Sequence, residues 1–142
     1  MLPVWRLGRG LVRALSAEDY EPLTYVRIEA GIREAINRLA DLNKKYAEAA
    51  DDLAEKEVLY KRHVAEAFII CAERLKEAGE RPTEKRVSIQ VDLETSDDFR
   101  SYRRAEAMFK SIGKALEVTR SRLDAMRSLL VNARVLEGHV GG

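Results

Sequence analysis

The sequence predicts an all-α protein built from two long antiparallel helices, a helical hairpin joined by a short third element, coiled-coil-like and oligomeric. Charged residues make up 35% of the 142 residues and aromatic residues only 6%, a composition typical of long solvated helices. Apolar residues recur at alternating steps of three and four over two long stretches. A segment with helix-breaking residues, EAGERPTEK at 77–85, separates those stretches.

The region at 1–22 is predicted to be a basic flexible N-terminal tail. Its opening, MLPVWRLGRGLVRALS, carries Arg6, Arg9 and Arg13 and no acid. These arginines interrupt the apolar stretch that a secretory leader requires, and the glycines disfavour a stable helix. Three interpretations remain open: a flexible tail, an upstream-start artefact, and a short helix that touches a membrane or DNA.

The region at 23–137 is predicted to be the helical hairpin, which oligomerises and binds DNA, and 138–142 a disordered tail. The first helix is expected to begin near Thr24, a possible N-cap after Pro22. A heptad pattern then predicts its buried seam: Ile32, Ile36, Leu39, Asn43, Tyr46, Ala50, Leu53, Glu57, Tyr60, Val64, Ala67 and Cys71. Gly79, as a C-cap, and Pro82 are expected to end this helix.

The third element, at 83–94, is ambiguous between helix and strand. Val87, Ile89, Val91 and Leu93 alternate as in a strand. Val87 and Val91 are also one helical turn apart, however, and Thr83 is a possible cap. A lone strand has no partner in a helical chain, so a short helix or an irregular segment is favoured.

The last helix is predicted to begin at TSDDF, with Thr95 or Ser96 as its cap and two aspartates at the positive end of its dipole. Its predicted seam also follows the heptad spacing: Tyr102, Ala105, Phe109, Ile112, Leu116, Thr119, Leu123, Met126, Leu130 and Ala133. Two helices cannot bury both seams and also Phe68, Ile69 and Ile70. The sequence therefore predicts that several copies assemble to complete the core.

Arginines recur at steps of seven beside the second seam, at Arg120, Arg127 and Arg134. Acids recur at the same spacing in the first helix: Glu34, Asp41, Glu48 and Glu55. Charges that flank a coiled-coil seam choose its partner. We therefore expect the arginine row to face the acidic row, in an antiparallel pairing or a subunit contact.

No catalytic or cofactor-binding motif is present, so the sequence predicts neither an enzyme nor a cofactor. GxGxxG, GxxxxGK[ST] and GxSxG are all missing. The single Cys71 excludes an internal disulfide and is expected to be a small buried apolar group. His63 and Glu66 lack a second pair of metal ligands, so no metal site is predicted and His63 is expected to be an ordinary surface histidine.

Basic residues are concentrated near the turn of the predicted hairpin. Residues 17–58 carry eleven acids and six bases, whereas 59–86 carry seven bases and five acids. A positive surface repeated around an oligomer is the electrostatic pattern of nucleic-acid binding. An ordinary solvated face, with charge pairs inside each helix, explains the same residues and remains open.

The chain from Glu55 to Arg134 resembles the phage recombination mediator proteins of the UvsY type. The most similar pieces are EKRVSIQVDLETSDD at 84–98 and RLDAMRS at 122–128. The resemblance implies a ring-like homo-oligomer that binds single-stranded DNA without sequence preference. It also implies help in loading a RecA-type recombinase onto strands coated by single-strand-binding protein. Separately, no apolar run approaches the ~20 residues of a membrane span, and the single cysteine fits a reducing cytoplasm, that of the host cell if the chain is phage-encoded.

Ten cations are the DNA-binding candidates, from the basic clusters together with this resemblance: Lys61, Arg62, Arg74, Lys76, Arg81, Lys85, Arg86, Arg103, Arg104 and Lys110. The alternative class is a structural coiled-coil protein, such as a virion assembly or scaffold protein without nucleic-acid binding. A small chaperone or anti-host protein that binds one protein partner is a third possibility.

Overall fold

The computed structural model describes residues 4–7, 10–13 and 25–140, with side chains described for 25–136. Residues 25–140 form three α-helices: α1 (Tyr25–Glu77), α2 (Glu84–Glu94) and α3 (Ser96–Val140). The predicted all-α class is therefore confirmed. α1 begins beside the predicted start, and Thr24 lies outside the described residues. α3 ends at Val140, beyond the boundary predicted at 137.

Two short strands lie in the region predicted to be a tail. β1 (Val4–Leu7) pairs antiparallel with β2 (Gly10–Arg13), with Val4 opposite Arg13 and Leu7 opposite Gly10. The rest of residues 1–22 lies outside the described residues, as do residues 141–142. The predicted domain boundaries at 22 and 137 stay predictions.

The chain divides into two compact units, one from Met1–Glu34 with Leu123–Gly142 and one from Ala35–Arg122. In the second unit the rings of Tyr46 and Phe109 stack at 4.6 Å. Tyr60, further along α1, contacts Phe99, which comes earlier in α3. Because rising numbers on α1 meet falling numbers on α3, the two helices are antiparallel in this unit.

Burial along α1 corrects its predicted seam at two positions, Ile36 and Asn43. The rest of the prediction is confirmed, with Ala50, Glu57 and Val64 half-buried and Ala67 and Cys71 buried. Ile28, Ala35, Leu42 and Ala49 are buried at steps of seven, and Ile32, Leu39, Tyr46, Leu53 and Tyr60 between them are half-buried. Ile36 and Asn43 are exposed. Alanine at 49 lies one turn from Tyr46, whose ring fills the space against Phe109. The predicted frame was therefore wrong by one residue at these positions.

The predicted seam of α3 is confirmed in full. Ala105, Leu116, Thr119 and Leu123 are buried. The other predicted positions are half-buried: Tyr102, Phe109, Ile112, Met126, Leu130 and Ala133. Large apolar residues occupy most of these positions, so only one frame of α3 offers a continuous apolar face.

α1 ends in a Schellman motif at Gly79. The Gly79 N–H donates to the Lys76 carbonyl at 3.0 Å, and the Glu80 N–H donates to the Leu75 carbonyl at 2.9 Å. Gly79 has φ +75°, a left-handed conformation that glycine adopts without the steric cost of a Cβ. The predicted C-cap is confirmed.

The ambiguous segment at 83–94 is a helix, α2. The hydroxyl of its N-cap, Thr83, accepts a hydrogen bond from the Arg86 N–H at 3.3 Å. Val87 and Val91 are buried at 4% and 2% exposure, whereas Ile89 and Leu93 are 54% and 72% exposed. The helical spacing of four therefore explains burial, and the alternation of apolar residues does not.

The junction between α2 and α3 consists of Thr95 alone. Its hydroxyl donates to the Val91 carbonyl at 2.7 Å, and the Ser96 hydroxyl donates to the Leu93 carbonyl at 3.1 Å. Both side chains therefore satisfy the last carbonyls of α2. Thr95 still occupies the N-cap position of α3, since its carbonyl accepts a hydrogen bond from the Phe99 N–H at 2.9 Å, but neither hydroxyl caps α3 as predicted.

α2 packs onto the end of α1 through a small apolar cluster. Its members are Ala67, Cys71 and Leu75 of α1 with Val87 and Val91 of α2. Cys71 is 0% exposed, and burial raises the pKa of its thiol. The expected role of Cys71 as a buried apolar group is confirmed.

We expect Ellman's reagent to react with Cys71 only as the protein unfolds. The thiolate is the reactive form, and both burial and the raised pKa suppress it in the folded chain. Absorbance of the released thiolate, followed over a urea series, measures this protection. Cys71→Ala with Val118→Cys, at a position 66% exposed on α3, supplies an exposed thiol as the control. Reaction of native Cys71 as fast as this control would contradict the packing.

The arginine row does not pair with the acidic row among the described residues. The acids of the row are all exposed: Glu34, Asp41, Glu48 and Glu55. The residues that follow the first three, Ala35, Leu42 and Ala49, are buried, so the acids lie about 100° around α1 from the side that faces α3. Arg134 instead donates to the Tyr25 hydroxyl at 3.1 Å, with its guanidinium 5.6 Å from the Tyr25 ring centroid. The prediction that the two rows face each other within one chain is therefore wrong, and a contact between the rows of two subunits stays a prediction.

Candidate nucleic-acid interface

Three aromatic rings meet near the start of α3. The Tyr60 ring lies 5.8 Å from that of Tyr102, nearly parallel to it at 4°. Phe99 lies 5.5 Å from Tyr60 and is tilted by 52°. Tyr60 and Tyr102 occupy the seam between α1 and α3, whereas Phe99 is 45% exposed. Phe99 is therefore the partly exposed ring of a cluster whose other two members fill the seam.

A groove of about 290 Å3 opens beside Phe99. Its lining residues are Tyr60, Asp92, Thr95, Ser96 and Phe99. The hydroxyls of Thr95 and Ser96 already donate to carbonyls of α2. The groove therefore offers two aromatic rings and the carboxylate of Asp92, an acceptor for N–H donors of a ligand.

Two cations share one carboxylate along the same side of α3. The guanidinium of Arg103 lies 5.9 Å from the Phe99 ring centroid and donates to Glu106 at 3.2 Å. Lys110 donates to the same Glu106 oxygen at 2.9 Å. The hydrogen bond from Lys110 lowers the pKa of Glu106, and the charges of Lys110 and Arg103 lower it further. Burial acts in the opposite direction but is outweighed. Glu106 therefore stays ionised and partly neutralises both cations.

Five of the ten predicted cations form ion pairs in the described chain. Besides Arg103 and Lys110, these are Lys61 with Glu57 at 2.8 Å, Arg62 with Glu66 at 4.0 Å, and Arg74 with Glu94. The hydrogen bond and the charge of Glu57 raise the pKa of Lys61, and Glu94 does the same for Arg74. These pairs are exposed and add little stability.

The other five form no ion pair with a described residue: Lys76, Arg81, Lys85, Arg86 and Arg104. Lys85 precedes Asp92 by seven residues on α2, so it lies on the same side of that helix, about 10 Å from the groove. Arg104 lies about 100° around α3 from Arg103 and so faces away from Phe99. Of the ten cations, Arg103 is therefore the one with a described contact to a groove residue, Phe99. Lys110 shares Glu106 with Arg103 and lies about 16 Å along α3 from Phe99.

Charge near the turn is balanced rather than positive. Residues 73–104 contain eight bases and eight acids. The expectation of a positive end counted residues 59–86, where bases exceed acids by two, and left out the four acids at 92–98. Any attraction for a polyanion must therefore come from local placement of cations and not from net charge.

His63 contacts Asp98 of α3, with 2.9 Å between Nδ1 and Oδ2. Its side chain is 37% exposed, which agrees with a surface histidine. The described residues contain no group of three or more potential ligands that could hold a metal ion. In the same part of the chain, no helix is both long and apolar enough to cross a membrane.

Phe99 is the residue of this site that the sequence analysis missed. Its sequence signal was present, because FRSYRR at 99–104 interleaves two aromatic residues with four residues that include three arginines. The prediction used only the arginines of this segment. Which aromatic ring is exposed depends on the packing of α1 against α3, and the segment alone does not reveal it.

Comparison of the chain with protein-family models, curated proteins and solved structures found no match. The fold and the site define a class, an all-α protein with an aromatic and cationic surface patch. The resemblance to UvsY-type mediators stays a prediction.

Proposed function

We propose that this chain binds single-stranded DNA without reading its sequence and acts as a non-enzymatic recombination mediator. The observation that carries the proposal is the exposed ring of Phe99, set beside a groove with Arg103 over its face. Proteins that bind single strands combine an aromatic platform for bases with cations that follow the phosphates. The site around Phe99 has both parts.

In this proposal one base stacks on Phe99, and the phosphates on either side contact Arg103, Lys110 and Lys85. Stacking of a base on an aromatic ring contributes about 1–3 kcal/mol and does not depend on which base it is. Asp92, in the groove, repels phosphate and so keeps the backbone on the cationic side. No contact of this kind reads a base edge through a fixed set of donors and acceptors.

Fluorescence anisotropy with a labelled poly-dT oligonucleotide tests this function. Three phosphate contacts predict a slope of about −2 for the logarithm of affinity against that of salt concentration, at roughly 0.7 per phosphate. Phe99→Ala is expected to weaken binding by about 1–3 kcal/mol without changing this slope. Met108→Ala, another exposed apolar residue of α3, is the matched control. No binding at low salt would contradict the proposal.

Glu106→Gln provides a test with the opposite sign. Its carboxylate partly neutralises Arg103 and Lys110, so removing that charge is expected to strengthen binding and to steepen the salt dependence. Glu117→Gln makes the same change at an exposed position of α3 and controls for net charge. Equal gains from both variants would assign the effect to overall charge and contradict the site.

The basic residues at the start of α2 are tested by Lys85→Glu with Arg86→Glu. This double variant is expected to weaken binding by about tenfold or more at low salt, because it replaces attraction with repulsion. Arg33→Glu with Arg38→Glu changes the same charge at exposed positions of α1. If the control weakens binding as much, the position of Lys85 is irrelevant.

The mediator role requires a second measurement. In this role the chain shortens the delay before a RecA-type recombinase becomes active on strands coated by single-strand-binding protein. The wild-type chain is expected to shorten that delay and the Phe99→Ala variant to do so less. Binding of single strands without any effect on the delay would leave a DNA-binding protein that is not a mediator.

A structural coiled-coil protein is the second candidate function. The observation that favours it is the number of large apolar residues left exposed, among them Val58, Ile69, Leu93 and Val118. Such surfaces indicate contacts with other chains. Assembly without DNA binding in the anisotropy experiment would support this candidate.

A further inference from the structure

A second apolar row runs along α1, away from the seam with α3. Its members follow at steps of seven, four, seven and four: Ala47, Ala54, Val58, Ala65 and Ile69. This spacing places them on one face, about 140° around the helix from the seam that contains Tyr60. Val58 is 66% exposed and Ile69 64% exposed. We call these five residues the outer row of α1.

The outer row fits the three- and four-residue steps of a coiled-coil seam at every position except two, which carry Asp51 and Lys61. A seam with small and branched apolar residues at three- and four-residue steps buries them against a partner helix. α1 therefore has two such faces, and α3 covers only one of them. An exposed apolar stripe of this length is unusual on a chain that remains alone.

The charges beside the outer row identify its partner. Acids border the row before its midpoint at Val58, including Glu48, Asp51 and Glu55, whereas Lys61 and Arg62 follow the midpoint. In a second copy of α1 packed in parallel and in register, Glu55 lies level with Glu55 and Arg62 level with Arg62, so neither charge is level with its opposite. When the second copy packs antiparallel, with the two-fold axis between Val58 and Leu59, its Arg62 lies level with Glu55 of the first copy. The two-fold symmetry repeats this contact, so it occurs twice.

Two further pairs come level in the antiparallel arrangement. Lys44 meets Glu73 of the second copy, a favourable contact. Asp51 meets Glu66 of the second copy, but Glu66 lies 4.0 Å from Arg62 in its own chain, which offsets the repulsion. The pattern of charge therefore favours an antiparallel contact between two copies over a parallel one.

We propose that two copies of this chain associate through the outer rows of their α1 helices, antiparallel and with a two-fold axis beside Val58. The contact is isologous, so it joins chains in pairs. It uses Arg62, one of the ten cations predicted to bind DNA, as a subunit contact instead. It leaves Phe99 and Lys85 outside the interface, so its test does not depend on DNA binding.

Sedimentation equilibrium without DNA tests the surface. The wild-type chain is expected to assemble beyond its 16.1 kDa monomer mass, with an even number of copies. Val58→Glu is expected to weaken association at least tenfold, roughly the effect of 1.4 kcal/mol, and to leave the helical circular dichroism unchanged. Val118→Glu makes the same substitution on α3 at the same 66% exposure and is expected to have no effect.

Charge exchange tests the antiparallel register. Glu55→Arg and Arg62→Glu are each expected to weaken association at least about tenfold, because each places like charges together twice. The double variant restores the opposite charges and is expected to restore association. A wild-type chain that is monomeric at all concentrations, an odd number of copies, dissociation by Val118→Glu but not by Val58→Glu, or a double variant as weak as the single ones would overturn the proposal.

Discussion

Leu42→Ala is expected to lower the free energy of unfolding by about 2–5 kcal/mol, whereas Ile36→Ala should cost less than about 1 kcal/mol. Leu42 is only 7% exposed in the seam between α1 and α3, but Ile36 is 45% exposed. Truncation of Leu42 removes buried surface and leaves a cavity. Truncation of Ile36 removes few contacts, and alanine has the higher helix propensity.

Urea unfolding followed by circular dichroism measures both changes. All variants are compared at one protein concentration, because association between copies also adds to apparent stability. The two residues lie on the same helix and are both large aliphatic side chains, so each serves as the control for the other. A larger loss for Ile36→Ala than for Leu42→Ala would restore the frame first predicted from the sequence.

The error in that frame has a physical origin. Both frames share Ile32, Leu39, Tyr46, Leu53 and Tyr60, and they differ by one residue at the positions between. The sequence analysis read the heptad from Ile32, and steps of four and three from there reach Ile36, Leu39 and Asn43. The structure buries Ala35 and Ala49, because large residues one turn away already fill the space. Whether an alanine or the residue after it is buried depends on the side chains of α3 that face it, and the pattern of α1 alone does not contain that information.

Local signals were more reliable than long-range ones. Gly79 as a C-cap and Thr83 as an N-cap depend on a few neighbouring residues, and both are confirmed. The seam of α3 is confirmed because its apolar residues allow only one frame. Thr95 was expected to cap α3, but its hydroxyl caps the carbonyl of Val91 instead, because α2 ends where α3 begins.

The candidate site was predicted only in part. The sequence identified the cations, including Lys85 and Arg103, since charge is visible residue by residue. The contacts of Glu106 with Arg103 and Lys110 follow from spacings of three and four residues on one helix, and the sequence analysis did not apply that rule to these three residues. The exposed ring of Phe99 also went unpredicted, since its exposure depends on how Tyr60 and Tyr102 fill the seam.

Val91→Asp is expected to destabilise the protein by about 3–5 kcal/mol, the cost of an uncompensated buried charge. Val91 is 2% exposed in the cluster that holds α2 against α1, and Glu94 and Asp92 of the same helix supply no counter-charge. Leu93→Asp places the same group at 72% exposure and is expected to cost less than about 1 kcal/mol.

This pair of variants discriminates between the two readings of the segment at 83–94. In a strand Val91 and Leu93 share one face, so both substitutions would be similarly harmful or similarly harmless. In a helix they lie about 160° apart, and only Val91 reaches Cys71 and Leu75. Urea unfolding gives the free energies, and the reactivity of the Cys71 thiol reports separately whether α2 has left α1. Equal losses of unfolding free energy for the two variants would contradict the helical packing. So would a Val91→Asp variant that keeps full stability and a protected Cys71 thiol, because a buried carboxylate at 91 reaches water only if α2 leaves α1.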